Sequence, residues 1–289
     1  MVRVCAYVAI ILVMIACLYP FIYILSVSLS DTDAVANQKV YLYPIGFQLD
    51  AYKIVMNNDS LWRGYVNSVV QSTLSTLITL ILCSLAGYVL SVHLFKYKRA
   101  FMVFFIITMF FNGGIVPTYL VISKLGLIDT IWAIVIPPAL GAWYIILFRV
   151  NFRQVPASLT EMAQMDGASH VWIYSKVMIP LCKAVFAVVA IYAFVNVWNS
   201  YFPPLLYLTS QDKMPLPIVI RKFTGAEVLR GDIETDIILA MGGRVYNALG
   251  LERSIKMATV IMSIGPIVFL YPLLQKYFNK GILVGSIKE

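Results

Sequence analysis

The sequence predicts an all-α integral membrane fold of six transmembrane helices with both termini inside, and three observations carry that prediction. First, 61% of the 289 residues are apolar, only 12% are charged, and the mean hydropathy is +0.84. A soluble domain carries about 25% charged residues, so this chain lacks the polar surface that water requires. Second, six stretches contain no Asp, Glu, Lys or Arg: Val4 to Ser30, Asn67 to Val92, Phe101 to Ser123, Ile131 to Phe148, Ala184 to Gln211 and Met257 to Gln275. Each is near the about 20 residues that a helix needs to cross the hydrocarbon. Third, an inside N-terminus leaves eleven Lys and Arg against three acids on the inner side, so the whole net charge of +8 lies there. The short Phe95 to Ala100 turn, with Lys96, Lys98 and Arg99, fixes that orientation by the positive-inside rule.

Taken in order, the first stretch follows Arg3 but is longer than a signal-peptide core and precedes no small-residue cleavage site, so it reads as a retained helix. The chain is then one transmembrane domain over 1–289, with spans at about 4–30, 67–92, 101–123, 131–148, 184–211 and 257–275. Loops at 31–66 and 212–256 lie outside, and a loop at 150–183 lies inside. The basic balance reads as cytoplasmic loop charge rather than a nucleic-acid surface. Cys5, Cys17, Cys83 and Cys182 sit in or beside apolar runs, without CxxC or ligand-spaced His, and read as buried small hydrophobes rather than a metal site.

The inner loop is the most informative segment. After Pro156, Ser158-Leu159-Thr160-Glu161 has the form of a capping box and predicts a helix from Leu159. Asp166-Gly167 supplies the glycine that ends it, and a second helix is predicted from Ser169 to Met178, closed by Ile179-Pro180. Two short helices joined at a glycine make a cytoplasmic knob.

Glu161-Met162-Ala163, three residues, Gly167, nine residues and then Val177-x-Ile179-Pro180 resembles the EAA loop of permease subunits of bacterial ABC importers, E-A-A-x3-G-x9-I-x-L-P. Met162, Val177 and Ile179 depart from the pattern by apolar replacement. The resemblance covers nearly the whole chain and is closest to the six-helix subunit of maltose-transporter-like carbohydrate permeases. Asn112-Gly113-Gly114-Ile115-Val116-Pro117-Thr118-Tyr119, with Leu125 to Thr130 and Trp132-Ala133, is similar to their connection between spans three and four. The tail from Lys280 to Lys288 is similar to their glycine-containing C-terminus.

The resemblance implies a type I ABC importer permease in a bacterial plasma membrane. Its partners are a second permease, a cytoplasmic ATPase dimer and an extracellular or periplasmic solute-binding protein, with membrane lipid around the spans. The coupling residues implied are Glu161, Met162, Ala163, Asp166, Gly167 and Pro180, and the outer loop 212–256 corresponds to one that engages the binding protein. For Glu161 and Asp166 the simpler readings, a capping-box carboxylate and a turn carboxylate, stay open.

The residues agree with a subunit powered from elsewhere. No G-x-x-x-x-G-K-[ST] is present, since Gly225 and Gly231 are followed by Asp232 rather than Lys, so ATP and Mg belong to the partner and no cofactor is expected on this chain. No span carries an ionisable acid or base of the kind a proton-coupled carrier uses. No catalytic or metal-ligating set is expected. For the pathway, Asn112 and the cluster Asn196, Trp198, Asn199 and Tyr201 offer amides and aromatic faces suited to a neutral, polyhydroxylated ligand. Interhelical Asn bonds and interfacial aromatic belts account equally for the fifth-span cluster, and a helix break satisfied by a polar side chain accounts for Asn112 beside Gly113-Gly114. His93 and His170 read as surface residues. The competing classes are an integral membrane enzyme acting on lipid or glycan, and an amino-acid or polyamine importer permease that shares the knob.

Overall fold

The computed structural model describes residues 2–92, 95–111, 113–224, 249–265 and 268, with side chains from residue 4 onward except at 223 and 224. All regular structure among the described residues is helical. Asn112, the tail 280–288, most of the outer loop 212–256 and the last part of the stretch 257–275 lie outside the described residues.

The chain forms two compact units: 1–65 with 216–266, and 66–215 with 267–289. The first holds α1 (Val2–Ser28), α2 (Thr32–Ala36), α3 (Asp50–Met56), the start of α4 (Asp59–Ser91), α14 (Leu216–Thr224) and a helix, α15, over 249–265. Val27, Ala34, Val35 and Val40 make its small core, with Met257 of α15 packed against them. Hydroxyls stitch the rest: Ser28 pairs with Tyr52 at 2.8 Å, and Ser254 donates to the Val27 carbonyl at 3.4 Å. Cys5 and Cys17 are exposed on α1 rather than buried, because α1 keeps its apolar side chains outward until its last turns.

In the second unit α4 is the central helix. It is followed by α5 (Lys98–Phe110), α6 (Ile115–Lys124), α7 (Trp132–Val135), α8 (Ala142–Arg153), α9 (Ala157–Met165), α10 (His170–Ile173), α11 (Ile179–Leu181), α12 (Lys183–Trp198) and α13 (Phe202–Tyr207). Small and hydroxyl residues line the buried face of α4: Ser68, Ser72, Ser75, Thr79 and Cys83 are all at most 2% exposed. They let other backbones come close. A Cβ on Gly87 would sit 2.6 Å from the Phe148 Cβ, so only glycine permits the α4–α8 contact.

Three expected spans are broken rather than continuous. Ala184 to Gln211 divides after Trp198 into α12 and α13, with Pro203-Pro204 in the first turn of α13. Phe101 to Ser123 divides into α5 and α6, and Gly114 takes φ +86, a conformation that strains any residue with a Cβ. Ile131 to Phe148 divides at Pro137-Pro138 into α7, a 3₁₀ turn Pro137–Ala139 and α8, with a bend of 44°. The break is satisfied from α4. The Ala139 N–H turns to the Ile136 carbonyl at 3.0 Å, which frees the Val135 carbonyl, and Ser75 donates to that carbonyl at 3.1 Å. The Cys83 thiol donates to the Ala139 carbonyl at 3.4 Å.

Candidate functional site

The loop between α8 and α12 has an anchored half and a more exposed half. The exposed half is α9, which has no fully buried residue and presents Met162 at 64% and Met165 at 89% exposure, with Leu159 also exposed. Its start differs from the capping-box expectation. Pro156 is the N-cap, at φ −55 and ψ 130, and the helix begins at Ala157, so Ser158 already lies in the first turn and caps nothing. Proline presets the φ that opens a helix and overrides the downstream signal. Glu161 is exposed on α9 and forms no ion pair among the described residues.

Gly167 has φ +79, and the Ala168 N–H donates to the Ala163 carbonyl at 2.9 Å. Asp166 is the C-cap residue, exposed, just before that left-handed turn. Ser169 then caps α10, its hydroxyl accepting from the Trp172 N–H at 3.3 Å.

The second helix does not close at Ile179-Pro180. It passes from α10 through a π turn, Tyr174–Met178, into α11, and turns by 82° into α12. A proline within a helix lacks the N–H for its i−4 carbonyl and crowds it; the wider π turn accommodates that loss, so Pro180 sits inside the helix with Cys182 at the turn. The π turn directs Tyr174 onto α4. Its hydroxyl meets the Ser84 hydroxyl at 2.5 Å, and its ring lies 5.4 Å from that of Tyr88. Tyr88 in turn reaches the His170 Nδ1 at 3.3 Å. Behind these, Phe148, Phe152, Ile173 and Met178 form the buried core of the unit. This half of the loop is therefore bolted to α4, while α9 packs the half-buried Ala163 against the same core and leaves Leu159, Met162 and Met165 exposed.

At the other end of this unit Asp129 organises a second cluster. It takes φ +57, which Asp tolerates better than most residues, and its carboxylate accepts from the Thr209 N–H at 3.0 Å, the Ser210 N–H at 2.9 Å and the Ser210 hydroxyl. Lys213 Nζ adds a charge at 2.9 Å. The Ser210 hydroxyl first, then the Ser210 N–H and Lys213, hold the Asp129 carboxyl well below the usual carboxylate range. From α4, Asn67 donates to the carbonyls of Asp212 and Met214, and Gln71 to that of Lys213 at 3.1 Å. The segment 207–214 is held from two sides, by side chains that lie 80 or more residues away in sequence.

The expected pathway residues separate. Asn196 is exposed on α12 and Asn199 is exposed as its C-cap, and neither side-chain amide has a protein partner among the described residues. Trp198 is 3% exposed and stacks on Phe194 at 5.7 Å. It is a packing residue because the buried face of α12 runs through Val185, Val189, Ala193 and Val197 to it. Tyr201 is half-buried at the start of α13. Sequence reasoning missed Trp143 and Tyr192, both exposed, whose rings meet edge to face at 5.3 Å. Their spacing in sequence gives no sign of that contact, although Tyr192 lies one turn before Asn196.

The chain belongs to the family described as "Binding-protein-dependent transport system inner membrane component", which matches residues 85–284. It is similar to Protein LplC of Bacillus subtilis, with 34% identity over 93% of this chain and 88% of that one. It is also similar to the polygalacturonan/rhamnogalacturonan transport system permease protein YtcP of the same organism, with 32% identity over 94% and 93%. A chain from the crystal structure of a bacterial ABC transporter involved in the import of the acidic polysaccharide alginate matches with a TM-score of 0.87 and 32% identity, over 96% of this chain and 97% of that one. The chain is thus a permease of ABC-importer type, and the findings support transport rather than a membrane enzyme acting on lipid or glycan.

Proposed function

We propose that this chain is one of two permease subunits of an ABC importer that moves a sugar or oligosaccharide inward across a bacterial plasma membrane. Six helices cross the bilayer with both termini inside. A solute-binding protein delivers the substrate, and a cytoplasmic ATPase dimer binds ATP and Mg and docks on the loop 150–183. The carbohydrate class is supported by the names of relatives, which move polygalacturonan or rhamnogalacturonan, arabinooligosaccharides, and trehalose or maltose.

The observation that carries the reading is the division of the loop. An exposed helix with Met162 and Met165 outward is suited to a partner groove, because methionine is apolar and adapts its shape. Glu161 and Asp166 supply charge at its edge. Anchoring of α10 through Tyr174 and Tyr88 lets displacement of α9 reach α4 as a nearly rigid movement, which rocks the spans between inward and outward access. Along the pathway, the free amides of Asn196 and Asn199 hydrogen-bond hydroxyl groups without needing a charge.

Deleting the gene in its host and following oligosaccharide uptake tests this reading. Loss of uptake, restored by the wild-type gene but not by one carrying Met162→Glu and Met165→Glu, is the expected result. Uptake that is unchanged by deletion for every saccharide the host imports contradicts it.

A further inference from the structure

The last turns of α1 line a cavity that neither the pathway nor the coupling loop uses. It has a volume of about 120 Å³ and lies wholly within the first unit. Its floor is apolar: Val27, Val35 and Val40 are each 3% exposed, with Tyr23 and Met257 packed against them. Its polar lining is Gln38 and Arg253, both exposed, so the cavity opens on that side. Gln38 is held at φ +55 in the turn after α2, where the Lys39 N–H donates to the Ala34 carbonyl at 3.0 Å. Arg253 has no ion pair or side-chain hydrogen bond among the described residues, and its neighbour Glu252 is taken up by Lys256. Lys39, exposed and without an ion pair among the described residues, adds a second cation beside Gln38.

Depth separates the two linings. Ser254 donates to the Val27 carbonyl, which sets the start of α15 level with the end of α1. With both termini inside, α1 runs outward and α15 inward. At about 1.5 Å per residue, Met257 then lies about 4.5 Å and Tyr23 about 6 Å deeper in the membrane than that contact, while Arg253 lies at its level or just outside it. Tyr23 stacks on Tyr19 at 6.3 Å, an aromatic pair of the kind that marks a membrane boundary.

We propose that this cavity binds an anionic phospholipid of the outer leaflet. The phosphate accepts hydrogen bonds from the Arg253 guanidinium, whose planar fork suits it, and from the Gln38 amide. The first methylenes of the acyl chains lie against Tyr23, Val27 and Met257, and Lys39 favours a headgroup of net negative charge. A protein carboxylate or a free phosphate would satisfy Arg253 but leave the apolar floor without a partner. Val4 to Phe21 of α1 are exposed throughout, so among the described residues this helix is held by its last turns, and a lipid seated between α1 and α15 adds to that hold. The inference rests on the membrane orientation proposed above and goes beyond the importer reading, since this lipid is not cargo.

The test uses the chain purified with whatever partners it retains and stripped of lipid in detergent. Phosphatidylglycerol, phosphatidylethanolamine and inorganic phosphate are titrated separately, with bound lipid counted by native mass spectrometry and the thermal midpoint followed. Phosphatidylglycerol is expected to bind saturably and raise the midpoint, phosphatidylethanolamine to bind more weakly, and inorganic phosphate to leave the midpoint unchanged. Arg253→Gln is expected to weaken phosphatidylglycerol binding by about 10- to 100-fold, the equivalent of hydrogen bonds to a charged group. Gln38→Gly, which removes the amide and suits the positive φ, so that folding is not at risk, is expected to weaken it several-fold. Arg63→Gln, which alters an exposed arginine at the start of α4, is expected to bind as the wild type does. A wild type that binds no phosphatidylglycerol, or binds phosphatidylethanolamine equally well, overturns the site. So does inorganic phosphate that raises the midpoint as much, or binding that is equal in the wild type and both variants of the cavity. Each of these outcomes leaves the importer reading intact, because that reading is decided by saccharide uptake.

Discussion

Asp129 and Lys213 are 84 residues apart in sequence, yet the Lys213 Nζ lies 2.9 Å from the Asp129 carboxylate and 2.7 Å from the Asp129 carbonyl. Together with the Thr209 and Ser210 N–H groups, this contact pins the start of the outer segment to the turn before α7. Asp129→Ala should loosen the segment 207–214. Trypsin cleavage after Lys213 in the folded, detergent-solubilised protein is expected to quicken several-fold, with Asp129→Asn between the two. An equal cleavage rate in all three argues against the clamp.

The same carboxylate sets a pH dependence of known sign. Its folded-state pKa is depressed, so its contribution is fully present above the unfolded carboxylate value of about 4 and is lost as pH falls toward the lower folded value. Thermal unfolding of the wild type and Asp129→Asn should differ by a constant amount from pH 7 to pH 5, and the difference should shrink below about pH 4.

Gly167 separates dihedral strain from clash. A Cβ there meets nothing within 4 Å, so Gly167→Ala carries only the left-handed penalty of about 1–2 kcal/mol. Gly167→Pro cannot adopt φ +79 at all and must redirect α9. Alanine should therefore reduce binding-protein-stimulated ATPase activity partially, and proline should abolish it.

Gly87 presents the opposite case. An added methyl would meet the Phe148 Cβ at 2.6 Å and the Arg149 nitrogen at 3.0 Å, and overpacking of this kind costs about 1–3 kcal/mol. Gly87→Ala should lower the thermal midpoint by several degrees. Gly113→Ala, whose Cβ would have only the Pro117 Cβ at 3.7 Å, should leave it unchanged.

The hydroxyl contact of Ser84 with Tyr174 predicts non-additivity. If these groups act through one another, Ser84→Ala and Tyr174→Phe each lower the transport-to-ATP ratio, and the double variant falls no further than the worse single. Effects that multiply in the double variant show that the two hydroxyls act separately.

Legibility in the sequence followed the range of the interaction. Gly167 and the helix start near Ser169 were readable because a left-handed turn and a helix start are local events, although Ser169 is the cap rather than the first helical residue. The Ser158 to Glu161 box misled because Pro156, two residues earlier, started the helix first. A break beside Gly113-Gly114 was one of two readings open in the sequence, whereas the break at Pro137-Pro138 was hidden by hydropathy, which a broken span satisfies as well as a straight one; what sustains it is a hydroxyl donated by Ser75 of another helix. The Asp129 clamp and the contact of Trp143 with Tyr192 join distant segments, and no local pattern announces them.

The most direct test of the central claim, that α9 is the docking element of an ABC importer permease, is co-purification. The tagged chain is extracted from its host in mild detergent, as wild type and with Met162→Glu and Met165→Glu, and its bound proteins are identified by mass spectrometry. The account predicts that the wild type brings a second permease and an ATPase subunit, and that the double variant keeps the permease but loses the ATPase. A wild-type chain that purifies without any ATPase, or a double variant that retains it in full, contradicts the account.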